Sequence, residues 1–187
     1  YHAETGRLDE IWRAPVPRYR PGDYESRRVF AASPDGTRVP ISLVYRKPLV
    51  QDGRRPLLLY GFGYTGYTVE PWFETERLSL LDRGVVYSVA HVRGGGEFGP
   101  AWHQAATGVH KVRSFTDFIA CAEHLVRAGF TSPGRLAITG TSAGGMLVTG
   151  VANMRPDLFQ AVVAKVPATN VIHRQPGSQA LRENAEL

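Results

Sequence analysis

The pattern G-x-S-x-G, formed by Gly140, Ser142 and Gly144, is the strongest chemical signal in the sequence. In many hydrolases this pattern presents a serine hydroxyl on a sharp turn between a strand and a helix. A serine in that position attacks a carbonyl carbon and forms an acyl-enzyme, once a neighbouring base removes its proton. The pattern alone is a weak signal, so its meaning depends on the elements beside it.

The residues on either side of the pattern have the periodicity of a strand and of a helix. Residues 136–139 form a short apolar run, and residues 143–154 are predicted to be helical. Ser142 would then lie at a helix N-terminus, where the dipole favours negative charge and the Ala143 N–H can donate to an oxyanion. This context predicts that Ser142 is a nucleophile. The alternative is an ordinary turn in which Ser142 serves only as the helix N-cap.

A second oxyanion donor is needed, and two glycine-rich loops are candidates for supplying it. Residues 61–63 follow one predicted strand, and residues 94–96 follow the next. In the strand order of α/β-hydrolases the earlier loop faces the nucleophile, so we predict that residues 61–63 do so here. The later loop is interpreted as a structural turn in which Arg93 and Glu97 pair.

The elements that must position these loops alternate between strands and helices after an initial antiparallel hairpin. The later strands are apolar on both faces, which is typical of a mostly parallel sheet covered by helices on both sides. We therefore predict an α/β protein with the α/β-hydrolase fold. The predicted strands are residues 29–32, 39–45, 56–60, 85–92, 135–139 and 159–166, and the predicted helices are residues 72–83, 115–128 and 143–154.

The N-terminal segment has a different character. Residues 1–12 are predicted to form a hairpin that turns at Gly6, and the proline-rich residues 14–22 are predicted to be a linker. We therefore predict a domain boundary near residue 24, with residues 1–24 belonging to a preceding domain and its linker. Residues 25–187 then form the catalytic domain.

Composition argues against several classes of function. The 22 basic and 17 acidic residues give a net charge of +5, but the basic residues are scattered, which argues against a nucleic-acid partner. No apolar run approaches 18 residues, so no membrane span is predicted. The single Cys121 excludes an internal disulfide framework and predicts a cytoplasmic protein. Serine chemistry needs no cofactor or metal, and none is predicted.

Several blocks of this sequence resemble the prolyl oligopeptidase family of serine peptidases, and most of all its oligopeptidase B branch. The similarity extends from about residue 7 to about residue 171. It implies hydrolysis of short peptides after Arg or Lys, and a β-propeller domain that ends within residues 1–24. Ala143 favours this branch, since the prolyl branch typically has Asn there. The blocks are residues 38–45, 77–84, 91–97, 115–118, 131–133 and 155–159.

Two positions near the site depart from the family pattern. Phe62 stands where the family has a tyrosine whose hydroxyl completes the oxyanion hole, so this donor is lost. Losing one such donor typically lowers turnover by about 10²–10³-fold. Tyr64 is a candidate substitute donor. Thr141 stands where the branch usually has glycine, which many nucleophile turns tolerate.

The catalytic acid and base are expected outside this chain. In this fold the order along the chain is serine, acid, histidine. Asp157 is interpreted as a turn residue, and His173 comes too early for the loop that should carry the base. Glu183 and Glu186 lie where the sequence no longer follows the branch. The resemblance implies two further strands, so we expect a domain truncated before its last strands. Alone, it would be inactive, with residues 159–166 as an exposed apolar edge.

Other functions remain as alternatives. Residues 61–66 match the nucleotide-binding pattern G-x-G-x-x-G. However, Pro71 interrupts the helix that should follow, and the next strand ends at His91 and not at an acidic residue. A prolyl-specific oligopeptidase or an esterase would share the fold. A non-catalytic relative is the third alternative, because Phe62 lacks the hydroxyl.

Overall fold

The computed structural model describes residues 1–12 and 14–169. Its strands are β1 (Tyr24–Ala32), β2 (Arg38–Arg46), β3 (Leu57–Gly61), β4 (Val86–Ala90), β5 (Leu136–Thr141) and β6 (Ala161–Lys165). Its α-helices are α1 (Thr75–Leu81), α2 (Pro100–Gln104), α3 (Val112–Arg127) and α4 (Ala143–Met154). Short 3₁₀ helices cover Pro21–Asp23, Gly108–His110 and Pro133–Arg135.

The strands form one six-stranded sheet in the order β1-β2-β4-β3-β5-β6. The pairs β1–β2 and β2–β4 are antiparallel, and the pairs β4–β3, β3–β5 and β5–β6 are parallel. This confirms the predicted hairpin followed by a parallel sheet. Because β3, β4, β5 and β6 run in the same direction, their carboxyl ends lie at one edge, where α/β proteins place their sites.

Helices cover both faces of the sheet, as the apolar pattern predicts. On one face, Leu59 belongs to a buried cluster with Phe118 of α3 and Leu147 of α4. On the opposite face, Val89 packs in a second cluster that contains Leu81 of α1. Each strand residue points away from its neighbours in sequence, so strands that are apolar throughout bury side chains on both faces.

The strand β6 lies at the edge of the sheet. Within the described residues it pairs with β5 alone. The side chains of Val162 and Val163 are 39% and 47% exposed, and Val166 just beyond the strand is 79% exposed. This matches the expected apolar edge, although the strand is shorter than the predicted residues 159–166.

Some predicted elements differ from the structure. The predicted helix over residues 72–83 begins only at Thr75, and the five-residue helix α2 has no counterpart among the predictions. In residues 1–12 the predicted turn forms, with a hydrogen bond from His2 N to Arg7 O of 2.9 Å, but no strands pair. A short hairpin whose side chains are exposed lacks the packed face that stabilises strands. The domain boundary near residue 24 stays a prediction.

The part of the chain that the structure describes contains no helix with the length and apolar character required to span a bilayer.

Candidate active site

Ser142 sits in a strained turn between β5 and α4. Its φ is 56° and its ψ is −116°. A non-glycine residue with positive φ is uncommon, and such strain is concentrated at functional sites. Although Ser142 occupies the N-cap position, its side chain makes no capping hydrogen bond to the helix. The alternative in which Ser142 is only a capping residue therefore lacks the hydrogen bond that defines it.

Two glycines make the turn sterically possible. A Cβ atom on Gly140 would overlap the carbonyl group of Gly144. A Cβ atom on Gly144 would overlap the carbonyl oxygen of Gly61 and would lie 3.3 Å from the Cα of Phe62. The turn thus packs directly against the loop after β3. This confirms that the earlier of the two glycine-rich loops faces Ser142.

Backbone strain is concentrated around this turn. Among the described residues, four non-glycine residues have positive φ, and three of them are Thr65, Ser142 and Val166. Thr65 lies in the loop after β3, and Val166 directly follows β6. The N–H of Ser142 donates to Lys165 O at 2.9 Å, and Ala168 N donates to Ser142 O at 3.1 Å. The end of β6 therefore holds the turn, and a Cβ on Gly145 of α4 would overlap Pro167 just beyond this strand.

The loop after β3 is held by the second glycine-rich loop. Gly66 N donates to Gly94 O at 3.0 Å, and Gly96 N donates to Tyr67 O at 3.2 Å. The buried Lys111 ammonium donates to Gly63 O at 2.5 Å. Fixed donors and acceptors of this kind preorganise a site, because the loop needs no rearrangement when charge develops.

The predicted pair between Arg93 and Glu97 is wrong. The Arg93 side chain is buried and binds Asp117 of α3, with Nε at 2.8 Å from Oδ2 and Nη2 at 2.6 Å from Oδ1. Its Nη1 donates to Asp35 in the turn between β1 and β2. The Arg93 guanidinium holds the pKa of Asp35 well below its usual range. This cluster joins the second glycine-rich loop to α3 and to the hairpin.

Glu97 has different partners. Its Oε1 accepts a hydrogen bond from Val69 N at 3.1 Å and lies 3.4 Å from Nδ1 of the buried His91. The His91 Nε2 lies 2.8 Å from Ser42 Oγ of β2. Glu97 therefore joins the far end of the loop after β3 to the end of β4.

The loop after β3 carries the aromatic residues Phe62, Tyr64 and Tyr67. Phe62 places an apolar ring beside the turn, and this ring meets Tyr67 edge to face with centroids 5.6 Å apart. Tyr64 is only 8% exposed, and the Lys111 ammonium lies 4.9 Å from its ring centroid. Tyr67 is 57% exposed. The prediction that Tyr64 replaces the missing hydroxyl stays untested.

Within residues 1–12 and 14–169, no histidine side chain forms a hydrogen bond with Ser142. Nδ1 of His103 lies 2.9 Å from Gly94 O. Nε2 of His91 lies 2.8 Å from Ser42 Oγ, as described above. Asp157 lies in a turn and pairs with Arg155 at 2.8 Å, which confirms its interpretation as a turn residue. His173, Glu183 and Glu186 lie outside the described residues.

Comparisons with known proteins agree with this geometry. The model of the prolyl oligopeptidase family matches residues 71–182. The chain belongs to the prolyl oligopeptidase family. Members of this family are serine peptidases with the α/β-hydrolase fold, as the resemblance implies.

Individual relatives in this family carry different names. The chain is 41% identical to dipeptidyl aminopeptidase BI of Pseudoxanthomonas mexicana over 91% of its length and 24% of that protein. It is 39% identical to a prolyl endopeptidase of Elizabethkingia meningoseptica, over 92% of its length and 24% of that protein. Oligopeptidase B from Trypanosoma brucei with covalently bound antipain matches 80% of the chain and 21% of that structure, with 48% identity and a TM-score of 0.78. The chain spans about a quarter of the length of the curated relatives it matches.

Sequence reasoning missed the side chains that fix the loop after β3. The Ser114 hydroxyl donates to Arg93 O at 2.6 Å, and Lys111 reaches Gly63 as described above. Both lie at or just before the start of α3, outside the apolar stripe that identified this helix. The sequence shows only that these two polar residues precede the predicted helix over residues 115–128, and their burial became visible in the structure.

Proposed function

We propose that this chain carries the nucleophile and one oxyanion donor of a serine oligopeptidase that cleaves short peptides after Arg or Lys. Ser142 is the nucleophile, and the Ala143 N–H donates to the oxyanion. The base and its orienting carboxylate come from outside the described residues. Phe62 contributes an apolar ring and no hydrogen bond.

The proposed reaction proceeds in two steps. The base takes the proton of Ser142 Oγ as this oxygen bonds to the scissile carbonyl carbon, and the carbonyl oxygen becomes an oxyanion. The Ala143 N–H is one of the first-turn amides that have no partner within the helix, so it is free to donate to that oxygen. The C–N bond then breaks, and the leaving amine takes the proton from the base. A water molecule hydrolyses the acyl-enzyme by the same route.

The conformation of Ser142 is the observation that carries this proposal. A positive φ at a serine, in a turn that tolerates no Cβ on Gly140 or Gly144, is costly and is typical of functional sites. A serine at the carboxyl edge of a parallel sheet, backed by a helix N-terminus, is the arrangement that acyl transfer needs.

The resemblance to the oligopeptidase B branch and the presence of Ala143 support cleavage after Arg or Lys. The names of the relatives include a dipeptidyl aminopeptidase and a prolyl endopeptidase as well as oligopeptidase B. A cytoplasmic location is supported by the free, buried Cys121, and cell fractionation tests it.

We also propose that residues 1–24 close a β-propeller and connect it to the catalytic domain at residues 25–187. The proline-rich composition of residues 14–22 and the start of β1 at Tyr24 support this division. Limited proteolysis of the intact gene product should cut first within residues 14–22. A first cut elsewhere would place the boundary differently.

Labelling with a fluorophosphonate tests the nucleophile, because this probe reacts only with an activated serine. The intact gene product should be labelled, and peptide mapping should locate the label at Ser142. The variant Ser142→Ala should remain unlabelled while it keeps the wild-type thermal midpoint. An unlabelled wild-type protein would support the non-catalytic alternative.

Chromogenic peptides test the substrate class. The intact protein should hydrolyse Arg- and Lys-linked substrates with a higher kcat/KM than Pro-linked substrates or simple esters. A preference for Pro would assign it to the prolyl branch, and a preference for esters would make it an esterase. Both results would leave Ser142 as the nucleophile.

A further inference from the structure

The site lacks an assigned second donor to the oxyanion. Acyl transfer uses two donors, and the Ala143 N–H supplies one of them. Since Gly144 packs on Gly61 and Phe62, the second donor belongs to the loop after β3. Phe62 itself offers only an apolar ring. A neighbouring side chain on the same loop is therefore the place to look for the second donor.

Tyr64 is turned toward the interior. It is 8% exposed, and its ring is in contact with the buried Lys111 ammonium. The buried Lys111 ammonium in turn donates a hydrogen bond to the carbonyl oxygen of Gly63. This packing fixes Tyr64 as a core residue.

Tyr67, in contrast, is 57% exposed and lines a cavity at the protein surface. Its ring contacts the Phe62 ring, and it lines a cavity of about 460 Å³ together with Thr141 and Lys165. Thr141 immediately precedes Ser142, and the Lys165 carbonyl accepts the hydrogen bond of Ser142 N–H. The cavity that Tyr67 lines thus extends to the residue that precedes Ser142.

The backbone of Tyr67 is held on both sides. Its N–H donates to Tyr64 O at 3.0 Å, and its carbonyl accepts from Gly96 N at 3.2 Å. Two side-chain torsions then determine where the hydroxyl lies, so little conformational entropy is lost when it donates. Burial raises the pKa of Tyr60, which lines the same cavity, and the neighbouring Tyr67 phenol raises that pKa further. Tyr60 and Tyr67 thus both line this cavity.

We propose that the Tyr67 hydroxyl is the second oxyanion donor of this protein and provides the hydrogen bond that Phe62 cannot. The proposal rests on the proposed function of Ser142. As Ser142 Oγ bonds to the carbonyl carbon, the Tyr67 O–H donates to the carbonyl oxygen as it becomes negative. The proton stays on Tyr67, and the oxyanion returns to a carbonyl when the amine leaves.

Steady-state kinetics on the intact gene product tests this role with three variants. Tyr67→Phe should lower kcat by about 10²-fold or more with little change in KM, because the donor acts on the transition state. Tyr64→Phe removes a phenol hydroxyl from the residue three positions earlier in the same loop. This control variant should keep a kcat close to that of the wild type. Phe62→Tyr should restore most of the activity of Tyr67→Phe, since it returns a phenol to the adjacent position.

Each outcome separates this inference from the proposed function. If Ser142→Ala still turns over substrate at the wild-type rate, the proposed function fails. If Ser142→Ala is inactive but Tyr67→Phe keeps wild-type kcat, only the role of Tyr67 is overturned, and a backbone N–H is the second donor. A loss in Tyr67→Phe that Phe62→Tyr does not relieve, accompanied by a lower thermal midpoint, would assign Tyr67 to loop packing and also overturn the proposal.

Discussion

Replacing Asp117 with asparagine is the sharpest test of how the second glycine-rich loop is held. Asp117 is fully buried and accepts four hydrogen bonds, from the backbone N, Nε and Nη2 of Arg93 and from the Ser33 hydroxyl at 2.6 Å. Asparagine keeps the shape of the Asp117 side chain but removes its negative charge. It also places an NH₂ group, which cannot accept a hydrogen bond, against N–H and O–H donors of Arg93 and Ser33. The buried Arg93 cation then keeps only Asp35 as a charged partner.

The size of the destabilisation expected for Asp117→Asn follows from the burial of the ion pair between Asp117 and Arg93. Removing one partner of a buried ion pair costs about 3–5 kcal/mol, because the other charge stays uncompensated. For a domain of 150–250 residues this corresponds to a fall of about 6–20 °C in the thermal midpoint. Asp157 offers a matched control, since it pairs with Arg155 but its side chain is 64% exposed. The same change at Asp157 should cost about 0–1 kcal/mol.

Thermal unfolding and hydrogen exchange on the intact protein measure the effect. The amides of β4 should exchange at least about 10²-fold faster in Asp117→Asn, because the free energy of opening falls by the same amount. The Asp157→Asn variant should show no such change. The reasoning would be refuted if both variants had the same midpoint and the same exchange rates. Asp117→Leu combined with Arg93→Met should recover much of the loss, since no buried charge is then left unpaired and the Asp35 side chain is 44% exposed.

Three further predictions follow from the structure. Gly144→Ala should lower kcat/KM by about 10²-fold because the new Cβ displaces the loop after β3, whereas Gly134→Ala, whose Cβ would meet nothing within 4 Å, should match wild type. Because Arg93 lowers the pKa of Asp35, the Asp35 carboxylate stabilises the fold at pH values above the pKa that Asp35 has in the unfolded chain. Calorimetry should therefore show the difference between wild type and Asp35→Asn shrinking as the pH falls below about 4. Burial raises the pKa of the Cys121 thiol, so iodoacetamide should modify it only after denaturation, and rapid modification of the native protein would contradict its placement.

The sequence by itself determined the alternation of elements and the nucleophile turn. Strand and helix periods are local properties, and the predicted helix over residues 143–154 has the bounds of α4. The turn at Ser142 was readable because its glycines are required within a few residues of the serine. The residue type at Phe62 is equally local, but the expectation that an oxyanion donor is missing there comes from the resemblance to the prolyl oligopeptidase family.

Only the tertiary structure decided which side chains meet. Arg93 binds Asp117, 24 residues away, and not the nearby Glu97, because α3 brings the buried carboxylate to the end of β4. The sequence offered Tyr64 as one candidate for the substitute donor, and only the structure shows that its ring packs on Lys111 while the Tyr67 ring packs on Phe62. Such partners depend on the order of strands in the sheet and on which loops cross at its edge. Local patterns carry no information about either of these, since the contacts join segments that are distant along the chain.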